Sequence, residues 1–332
     1  MKKTISVILA ICLLCMLVAC STSAKPKEEA EAKYPSKPIT IIAPAKPGGG
    51  YDSLSRAIAS MAGNYLGQVI VVENVPGASY TLGTAQACNS DPDGYTLVLC
   101  TNKQFSSTPL AMEVEYDPLN GVEYFGCMAE VRWVWGCNAK LFDRIGVTDT
   151  NGFLEYVKAH PGEIKAGSIS IPTALMFQQL ADAGYQFAVT SYEDAASLAV
   201  AIANGEVECG FSAASAQNAL RESGDIRFLM EIPGVEGAEP LAEGCGTANA
   251  DYPEIAKILG STAYQWYILA GPKGMPQETV DAINAFIKAI TEDAGFQAMV
   301  TKLGMANAYH TAEEVTNGVI SEYNATKEYY GQ

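Results

Sequence analysis

The chain is poor in histidine and in charge, and it has no second long hydrophobic run. Only His160 and His310 occur, and they do not have metal-ligand spacing, so no metal site is expected. No Cys-His or Ser-His-Asp arrangement can be proposed from the spacing, so the chain is not expected to be an enzyme. After residue 20, no stretch is long and apolar enough to cross a bilayer. These absences favour a non-catalytic protein that lies outside the membrane.

Basic residues are also scarce relative to acidic ones. The chain has 21 Lys and Arg residues against 37 Asp and Glu residues, which gives a formal net charge of -16. A field this negative argues against nucleic acid and against acidic membrane surfaces as partners. A small anionic ligand is still compatible with it, because local donors in a pocket outweigh a distant, salt-screened surface charge.

The cysteines lack any C-x-x-C spacing, which excludes the usual zinc and redox motifs. Six cysteines follow residue 20, an even number that permits disulfides outside the cytoplasm. Most are expected to be small buried hydrophobic residues. If a disulfide forms, we predict that it joins Cys127 and Cys137. The remaining four are Cys88, Cys100, Cys209 and Cys245.

The N-terminus does hold one hydrophobic run. Lys2 and Lys3 precede it and Leu17-Val18-Ala19-Cys20 ends it, an order typical of a bacterial lipoprotein signal. Residues 4–19 are too few to cross a hydrocarbon core of ~30 Å, although a short uncleaved anchor helix is the alternative. We therefore predict cleavage before a lipidated Cys20, a location outside the cytoplasm and a flexible tether over residues 21–33, whose composition cannot bury enough apolar surface.

Short β-branched runs then alternate with helical patterns, as in Ile39-Ala43 followed by Ser53-Leu66, and a second series begins near Ile164. This alternation predicts βαβ units, and the length leaves room for two cores. We predict an α/β fold with two domains, each a mostly parallel sheet flanked by helices. Residues 34–133 and 247–332 are assigned to domain 1, and residues 134–246 to domain 2.

A glycine-rich segment lies between the first strand and the first helix. Glycines let the backbone amides approach a ligand, and the helix start offers unpaired N-H groups that suit a carboxylate or phosphate. The spacing matches neither a P-loop nor G-x-G-x-x-G, so no nucleotide is indicated and no cofactor is expected. A purely structural turn is the alternative, with Asp52 as the helix cap. The segment comprises Pro47, Gly48, Gly49, Gly50, Tyr51 and Asp52.

Later motifs decide between these interpretations. The strings Tyr34-Pro35-Ser36-Lys37-Pro38-Ile39, Val72-Glu73-Asn74-Val75-Pro76-Gly77 and Asp91-Pro92-Asp93-Gly94-Tyr95 occur in this order, followed by His160-Pro161-Gly162 and Leu269-Ala270-Gly271-Pro272. Together they resemble the Bug family of extracytoplasmic solute-binding proteins, the receptors of tripartite tricarboxylate transporters. The resemblance runs from about Tyr34 to the C-terminus and is strongest before Thr101.

The resemblance implies a periplasmic-binding-protein-like fold with a ligand cleft between two domains. It implies that a small organic solute, most often a carboxylate, is caught by hinge closure and delivered to the membrane permease subunits of the transporter. The hinge strands are expected near Arg132-Cys137 and Leu241-Thr247, and the receptor is expected to be a monomer. By resemblance, the residues near the ligand are Pro47, Gly48, Gly49, Asp52, Gly77, Ala78, Thr101, Asn102, Gly167 and Ser168.

The chain departs from the family pattern inside this site. Tyr51, Ser79 and Tyr80 stand where small residues or glycines are usual, and Ile169-Ser170-Ile171-Pro172-Thr173 replaces a glycine- and serine-rich loop. The two tyrosine rings suit an aromatic or amphipathic ligand, or alternatively fill space that glycines leave. Lys46 is the only cation near the first loop, with a solvated surface lysine as the alternative. We therefore add to the candidate site Gly50, Tyr51, Ser79, Tyr80, Thr173 and Ser212.

A second function remains open at this point. The same cleft and hinge would serve a binding protein that reports to a membrane sensor kinase rather than to a permease. The chain itself does not separate these two roles.

Overall fold

The computed structural model describes residues 34–232 and 241–329. The predicted lipidation site Cys20 and the predicted tether over residues 21–33 lie outside these residues. Within the described ranges, no helix is long and apolar enough to cross a membrane.

The first sheet has six strands in the order β12-β4-β11-β3-β1-β2. Strand β1 pairs in parallel with β2 and β3, whereas β11 and β12 pair antiparallel with their neighbours. The sheet is therefore divided into a parallel half and an antiparallel half. Its strands are β1 (Ile39–Ala43), β2 (Ile70–Asn74), β3 (Thr96–Thr101), β4 (Val122–Glu130), β11 (Trp266–Pro272) and β12 (Ala306–His310).

The second sheet also has six strands, in the order β10-β9-β5-β8-β6-β7. Strand β5 is antiparallel to both β8 and β9, and the outer pairs are parallel. The strands are β5 (Trp133–Asn138), β6 (Lys165–Ser168), β7 (Ala188–Ser191), β8 (Cys209–Ala213), β9 (Ile226–Ile232) and β10 (Gly246–Thr247).

The predicted α/β arrangement of two sheets flanked by helices is confirmed, with one correction. Both sheets are mixed rather than mostly parallel, because β4 and β5 follow each other without a helix and enter their sheets against the direction of their neighbours. Only Val131 and Arg132 separate the end of β4 from the start of β5. The chain therefore crosses from the first sheet to the second there, next to the first of the two expected hinge strands.

Helices cover both sheets. The longer ones are amphipathic: α1 turns Leu54, Ile58 and Met61 inward, all buried. The helices are α1 (Gly50–Tyr65), α2 (Thr81–Cys88), α3 (Thr108–Ala111), α4 (Leu141–Ile145), α5 (Thr150–Ala159), α6 (Ile171–Asp182), α7 (Ala195–Asn204), α8 (Ala214–Glu222), α9 (Ala248–Asp251), α10 (Pro253–Leu259), α11 (Gln277–Thr291), α12 (Ala294–Lys302) and α13 (Ala312–Tyr329). Short 3₁₀ turns lie at Ala78–Tyr80, Asn102–Gln104 and Gly260–Ala263.

The cysteines after residue 20 are buried free thiols in this structure. The predicted Cys127–Cys137 disulfide is not formed, because Cys127 lies in β4 of the first sheet and Cys137 lies in β5 of the second. The residue directly opposite Cys137 in the strand register is Cys209 of β8. Burial raises the pKa of Cys137 to about 12, which keeps it in the thiol form at neutral pH.

Candidate functional site

A small cavity lies between the two sheets. Its volume is ≈ 20 Å³, which is room for about one water molecule. Segments that follow β1, β2 and β3 line it, together with Gln265 just before β11 and the start of α6 after β6. Ligands of open α/β sheets bind beyond the carboxyl ends of the strands, which is where these segments begin. The lining residues are Tyr51, Ser79, Tyr80, Lys103, Gln104, Thr108, Ser170, Ile171, Pro172 and Gln265.

The glycine-rich loop before α1 forms a turn next to this cavity. Gly48 has φ +87°, a backbone conformation that favours glycine. Asp52 accepts a hydrogen bond of 2.9 Å from the Gly48 amide and pairs with Arg56 at 2.8 Å. Asp52 thus holds the loop. The loop residues Pro47 and Gly49 are exposed and lie outside the lining of the cavity.

The pKa of Asp52 reflects these contacts. Burial by itself would raise it, but hydrogen bonds from Arg56, Gly48 and Asn74 outweigh burial and lower it below the ordinary value. The carboxylate is therefore ionised at neutral pH and attracts Arg56 and the Gly48 amide. This favours a structural role for Asp52 over contact with an anionic ligand.

Three tyrosine rings pack together on the side of the first sheet, and two of them, Tyr51 and Tyr80, line the cavity. The ring of Tyr51 lies 5.0 Å from that of Tyr80 and 5.4 Å from that of Tyr267. Gln104 Nε2 donates a hydrogen bond of 3.1 Å to the Tyr51 hydroxyl. Burial raises the pKa of Tyr51 well above its ordinary value, so its hydroxyl stays protonated. Gly50 allows this packing, since a Cβ there would stand 2.6 Å from the Tyr267 hydroxyl.

The segment before α2 has an unusual backbone. Ala78, Ser79 and Tyr80 have φ values of 46°, 52° and 73°, all in the left-handed region that costs an L-residue about 1–2 kcal/mol each. Such strain persists where surrounding contacts fix it, and it clusters at ligand sites. Here the preceding Gly77 is exposed, and Tyr80 packs on Tyr51. Two of the strained residues, Ser79 and Tyr80, stand where the resemblance leads one to expect glycines and a small polar residue.

The turn after β3 is fixed by its own polar side chains. Thr101 donates to Gln104 Oε1 from both its amide and its hydroxyl, at 2.8 and 2.7 Å. Asn102 donates to Glu322 at 2.7 Å and accepts from the Trp266 amide at 2.9 Å. Thr101 and Asn102, both predicted as binding residues, thus hold the turn, and neither lines the cavity.

The two residues that follow them do line the cavity, and the sequence analysis missed both. Lys103 is 1% exposed and forms an ion pair with Glu322 of α13. Gln104 is 2% exposed and joins Thr101 to Tyr51. The signal was available in the chain, because Lys103 and Gln104 continue a segment that already follows the carboxyl end of a strand.

The second sheet contributes the start of α6. Ser170 and Thr173 form a reciprocal capping box there, and Thr173 Oγ1 accepts from the Ile169 and Ser170 amides at 3.0 Å. Ser168 bonds to Thr173 at 3.0 Å. The lining residues are instead Ser170, Ile171 and Pro172, which lie between the predicted residues Ser168 and Thr173.

Gly167 and Ser212, which were also predicted as binding residues, are packed within the second sheet. A Cβ on Gly167 would stand 2.1 Å from Leu198 Cδ1, so the absence of a side chain admits Leu198. Ser212 accepts a hydrogen bond of 2.8 Å from Gln217. Neither lines the cavity.

Lys46 contacts a loop of the second sheet. Its ammonium forms an ion pair with Glu193, which lies between β7 and α7 of the second sheet. Both side chains are more than half exposed, at 61% and 74%. The pair therefore connects the loops of the two sheets at the surface, and Lys46 is not part of the cavity lining.

Of the predicted binding residues, the structure brings Tyr51, Ser79 and Tyr80 into the cavity lining. The others surround it as turn, cap and packing residues. No group of three or more His, Cys, Asp or Glu side chains that could hold a metal ion occurs in residues 34–232 and 241–329.

Comparison with known proteins points to one family. The family model for the tripartite tricarboxylate transporter family receptor matches residues 54–328. BugT of Bordetella pertussis is 26% identical over 300 residues, a match that covers 87% of this chain and 86% of BugT. A UPF0065 protein of Agrobacterium vitis is 37% identical over 103 residues, which is 31% of this chain and 30% of that protein.

Two solved structures show the same fold. The R. palustris protein Rpa4515 with adipate superimposes with a TM-score of 0.75 at 22% identity, over 90% of this chain and 98% of that one. MatC from Rhodopseudomonas palustris with bound malate gives a TM-score of 0.71 at 19% identity, over 89% and 99% of the two chains.

Proposed function

The chain belongs to the family of tripartite tricarboxylate transporter receptors, and on that premise we propose that it captures a small organic carboxylate between its two sheets and delivers it to a membrane permease. Because the members of this family are transport receptors, the expectation that the chain is not an enzyme is confirmed. The family also implies a location outside the cytoplasm.

The observation that carries this proposal is the position of the cavity. It is lined from the first sheet by Tyr51, Tyr80 and Gln104 and from the second by Ser170 and Pro172. A solute bound there contacts both lobes only when they are closed. Binding therefore shifts the equilibrium from an open towards the closed state, which is how a receptor signals occupancy to a transporter.

A carboxylate fits the chemistry of the lining. Ammonium, amide and hydroxyl groups of Lys103, Gln104, Thr108 and Ser170 are hydrogen-bond donors. Hydrogen bonds to a charged group contribute about 1.5–3 kcal/mol each, and a micromolar complex requires ~8 kcal/mol. Four or five such bonds are enough. Two proteins of the same fold were solved with adipate and with malate, which supports a dicarboxylate as the first class to test.

We place the hinge at the crossover between β4 and β5 and at the return segment near Leu241-Thr247. Arg132 of the crossover binds Glu231 of β9 through two contacts of 2.7 Å, which ties the crossover to the second sheet. We propose residues 34–133 and 247–332 as domain 1 and residues 134–246 as domain 2, with the boundary residues Trp133 and Thr247 pairing in the second sheet. Small-angle scattering that gave identical dimensions with and without bound ligand would refute hinge closure.

The first experiment is a thermal-shift screen of the purified protein. Adipate, malate, citrate, aromatic acids, amino acids and neutral sugars are compared after the protein has been unfolded and refolded to remove trapped ligand. A ligand at ~100 times its dissociation constant stabilises a protein by about 2.7 kcal/mol. Stabilisation confined to carboxylates supports the proposal, and stabilisation by neutral compounds alone refutes it.

We further propose that the receptor is lipid-anchored through Cys20. The motif Leu17-Val18-Ala19-Cys20 and the short apolar run before it support this. Metabolic labelling with a fatty acid is expected to mark the wild-type chain and not the Cys20→Ala variant, which should leave the membrane fraction. Equal labelling of both chains would refute the anchor.

We propose that the soluble part acts as a monomer and docks on the permease as a single closed receptor. The strongly acidic composition, -16 overall, opposes self-association by mutual repulsion at low salt. Light scattering after gel filtration is expected to give the mass of one chain with and without ligand, and a dimer mass would refute this.

A further inference from the structure

A buried ion pair lies against the cavity between the sheets. The Lys103 ammonium pairs with Glu322 and donates a hydrogen bond of 3.0 Å to the Ser261 carbonyl. The side chains of Lys103 and Glu322 are only 2% and 4% exposed. An ammonium has three N-H donors, and acceptors within residues 34–232 and 241–329 account for two of those of Lys103.

The cation of this pair belongs to a residue of the cavity lining, and the anion does not. Lys103 is among the lining residues, whereas Glu322 and Ser261 are not. Glu322 is held behind Lys103 by a second contact, a hydrogen bond of 2.7 Å from Asn102. The effective dielectric constant is low in such a buried place, so the electrostatic effect of an oriented pair is stronger than at the surface.

The protonation of Lys103 depends on its partner. Burial lowers the pKa of Lys103, while the charge and hydrogen bond of Glu322 act in the opposite direction. Glu322 thus offsets the cost of keeping an ammonium charged in a buried position. Lys46, the other lysine near the site, is exposed and outside the lining.

An acceptor lies in the same lining. Gln265 donates to Thr101 at 3.0 Å through its amide nitrogen, and its Oε1 is buried without a hydrogen-bond partner in the part of the chain that the structure describes. The cavity therefore offers a cationic donor at Lys103 and an unused acceptor at Gln265. These two groups are complementary to a ligand that carries both a negative charge and a hydroxyl or similar donor.

We propose that Lys103 determines specificity for the charge of the ligand by binding one of its carboxylates, with Glu322 of the C-terminal helix α13 as the positioning residue behind it. This inference rests on the proposed function. In this proposal, a single side chain distinguishes charged from neutral ligands, rather than the backbone amides of the glycine-rich loop. A lysine that merely fixed the turn to α13 would have no effect on the preference for charged over neutral ligands.

The test compares adipate with its neutral diamide, adipamide. Lys103→Met would leave the Glu322 carboxylate buried without a cation, so the variant of choice is Lys103→Gln/Glu322→Gln, which replaces the ion pair by two hydrogen-bonding amides. Titration calorimetry on the purified variant is expected to show at least about tenfold weaker adipate binding and unchanged adipamide binding. Lys46→Met is the matched control, with adipate affinity within about fivefold of wild type.

The outcomes separate the inference from the proposed function. If wild type binds no carboxylate of the thermal-shift screen, the proposed function fails and this inference with it. If wild type binds adipate and the folded double variant binds it equally well, the inference alone is overturned. If the double variant does not fold, a crystal structure of wild type with adipate decides. A carboxylate oxygen within hydrogen-bond distance of Lys103 Nζ supports the inference, and its absence overturns it.

Discussion

The two faces of the cavity are built in different ways. On the face of the first sheet, long side chains are buried and bonded to one another, as in the Tyr51–Gln104 hydrogen bond and the Lys103–Glu322 ion pair. On the face of the second sheet, the lining is the first turn of α6, with Ser170 and Pro172 as its residues. The first face thus consists of long side chains from several segments that are bonded to one another, whereas the second consists of one helix start held by its own capping box.

The largest expected effect is on the packing of the first face. A Cβ on Gly83 of α2 would stand 2.8 Å from the Val75 carbonyl oxygen and 3.1 Å from Pro44 Cα, so helix and strand must separate. Gly83→Ala is expected to lower the free energy of unfolding by about 1–3 kcal/mol and to weaken binding. The control is Gly63→Ala in α1, where nothing lies within 4 Å. Equal urea midpoints for the two variants would contradict the rigid first face.

The second-largest effect concerns the dependence of stability on pH. The lowered pKa of Asp52 means that its stabilising contribution is complete above the ordinary carboxyl range and is lost as the pH falls through the lowered value. Asp52→Asn removes charged hydrogen bonds to Gly48 and Arg56 and should cost about 1–2 kcal/mol at pH 7. Urea unfolding should show this difference shrinking at pH 3. A difference that is the same at both pH values would contradict the assignment.

A smaller effect is expected from relief of backbone strain. Ser79→Gly should raise the free energy of unfolding by about 0.5–1 kcal/mol, because Ser79 has φ 52°. The matched variant on the other face is Ser170→Gly, where φ is -165° and the side chain caps α6. It should lower stability by a few tenths of a kcal/mol. Thermal unfolding of both variants checks the opposite signs, and two changes of the same sign would refute the comparison.

The smallest effect is expected at the surface, where the two lobes meet. Lys46→Met removes the exposed ion pair with Glu193 and should weaken binding by less than about fivefold, with the difference vanishing in high salt. Glu193→Gln should weaken binding to the same extent. Combining Lys46→Met with Glu193→Gln should weaken binding no further. A tenfold or salt-independent loss would mean that this pair, rather than the buried face, controls closure.

The order of elements was largely predictable from the sequence, because alternating apolar runs and helical patterns are local signals. Thus β1 has its predicted range, and α1 overlaps the predicted helical segment Ser53-Leu66. The mixed direction of the sheets was not predictable in this way, since the antiparallel entry of β4 and β5 depends on which neighbours they pair with. The wrong Cys127–Cys137 pair has the same cause: the two residues are near in sequence but lie in different sheets.

The cavity lies beside the loops after the strands, to which the glycine motifs pointed. Most of the named glycines and hydroxyl residues lie outside its lining and serve turns and caps, as Thr173 does. The pairing of Lys103 with Glu322 could not be predicted, because nothing in the sequence links two residues that are 219 positions apart and meet through the packing of α13. Long-range charge pairing of this kind requires the fold.

The most direct test of the account is hydrogen–deuterium exchange with and without the carboxylate that gives the largest thermal shift. If one ligand bridges the two sheets, amide exchange must slow on both faces at once, in residues 77–80 and 102–104 on the first and in residues 169–173 on the second. Protection confined to one face, or to segments remote from the cavity, would contradict a ligand site between the lobes.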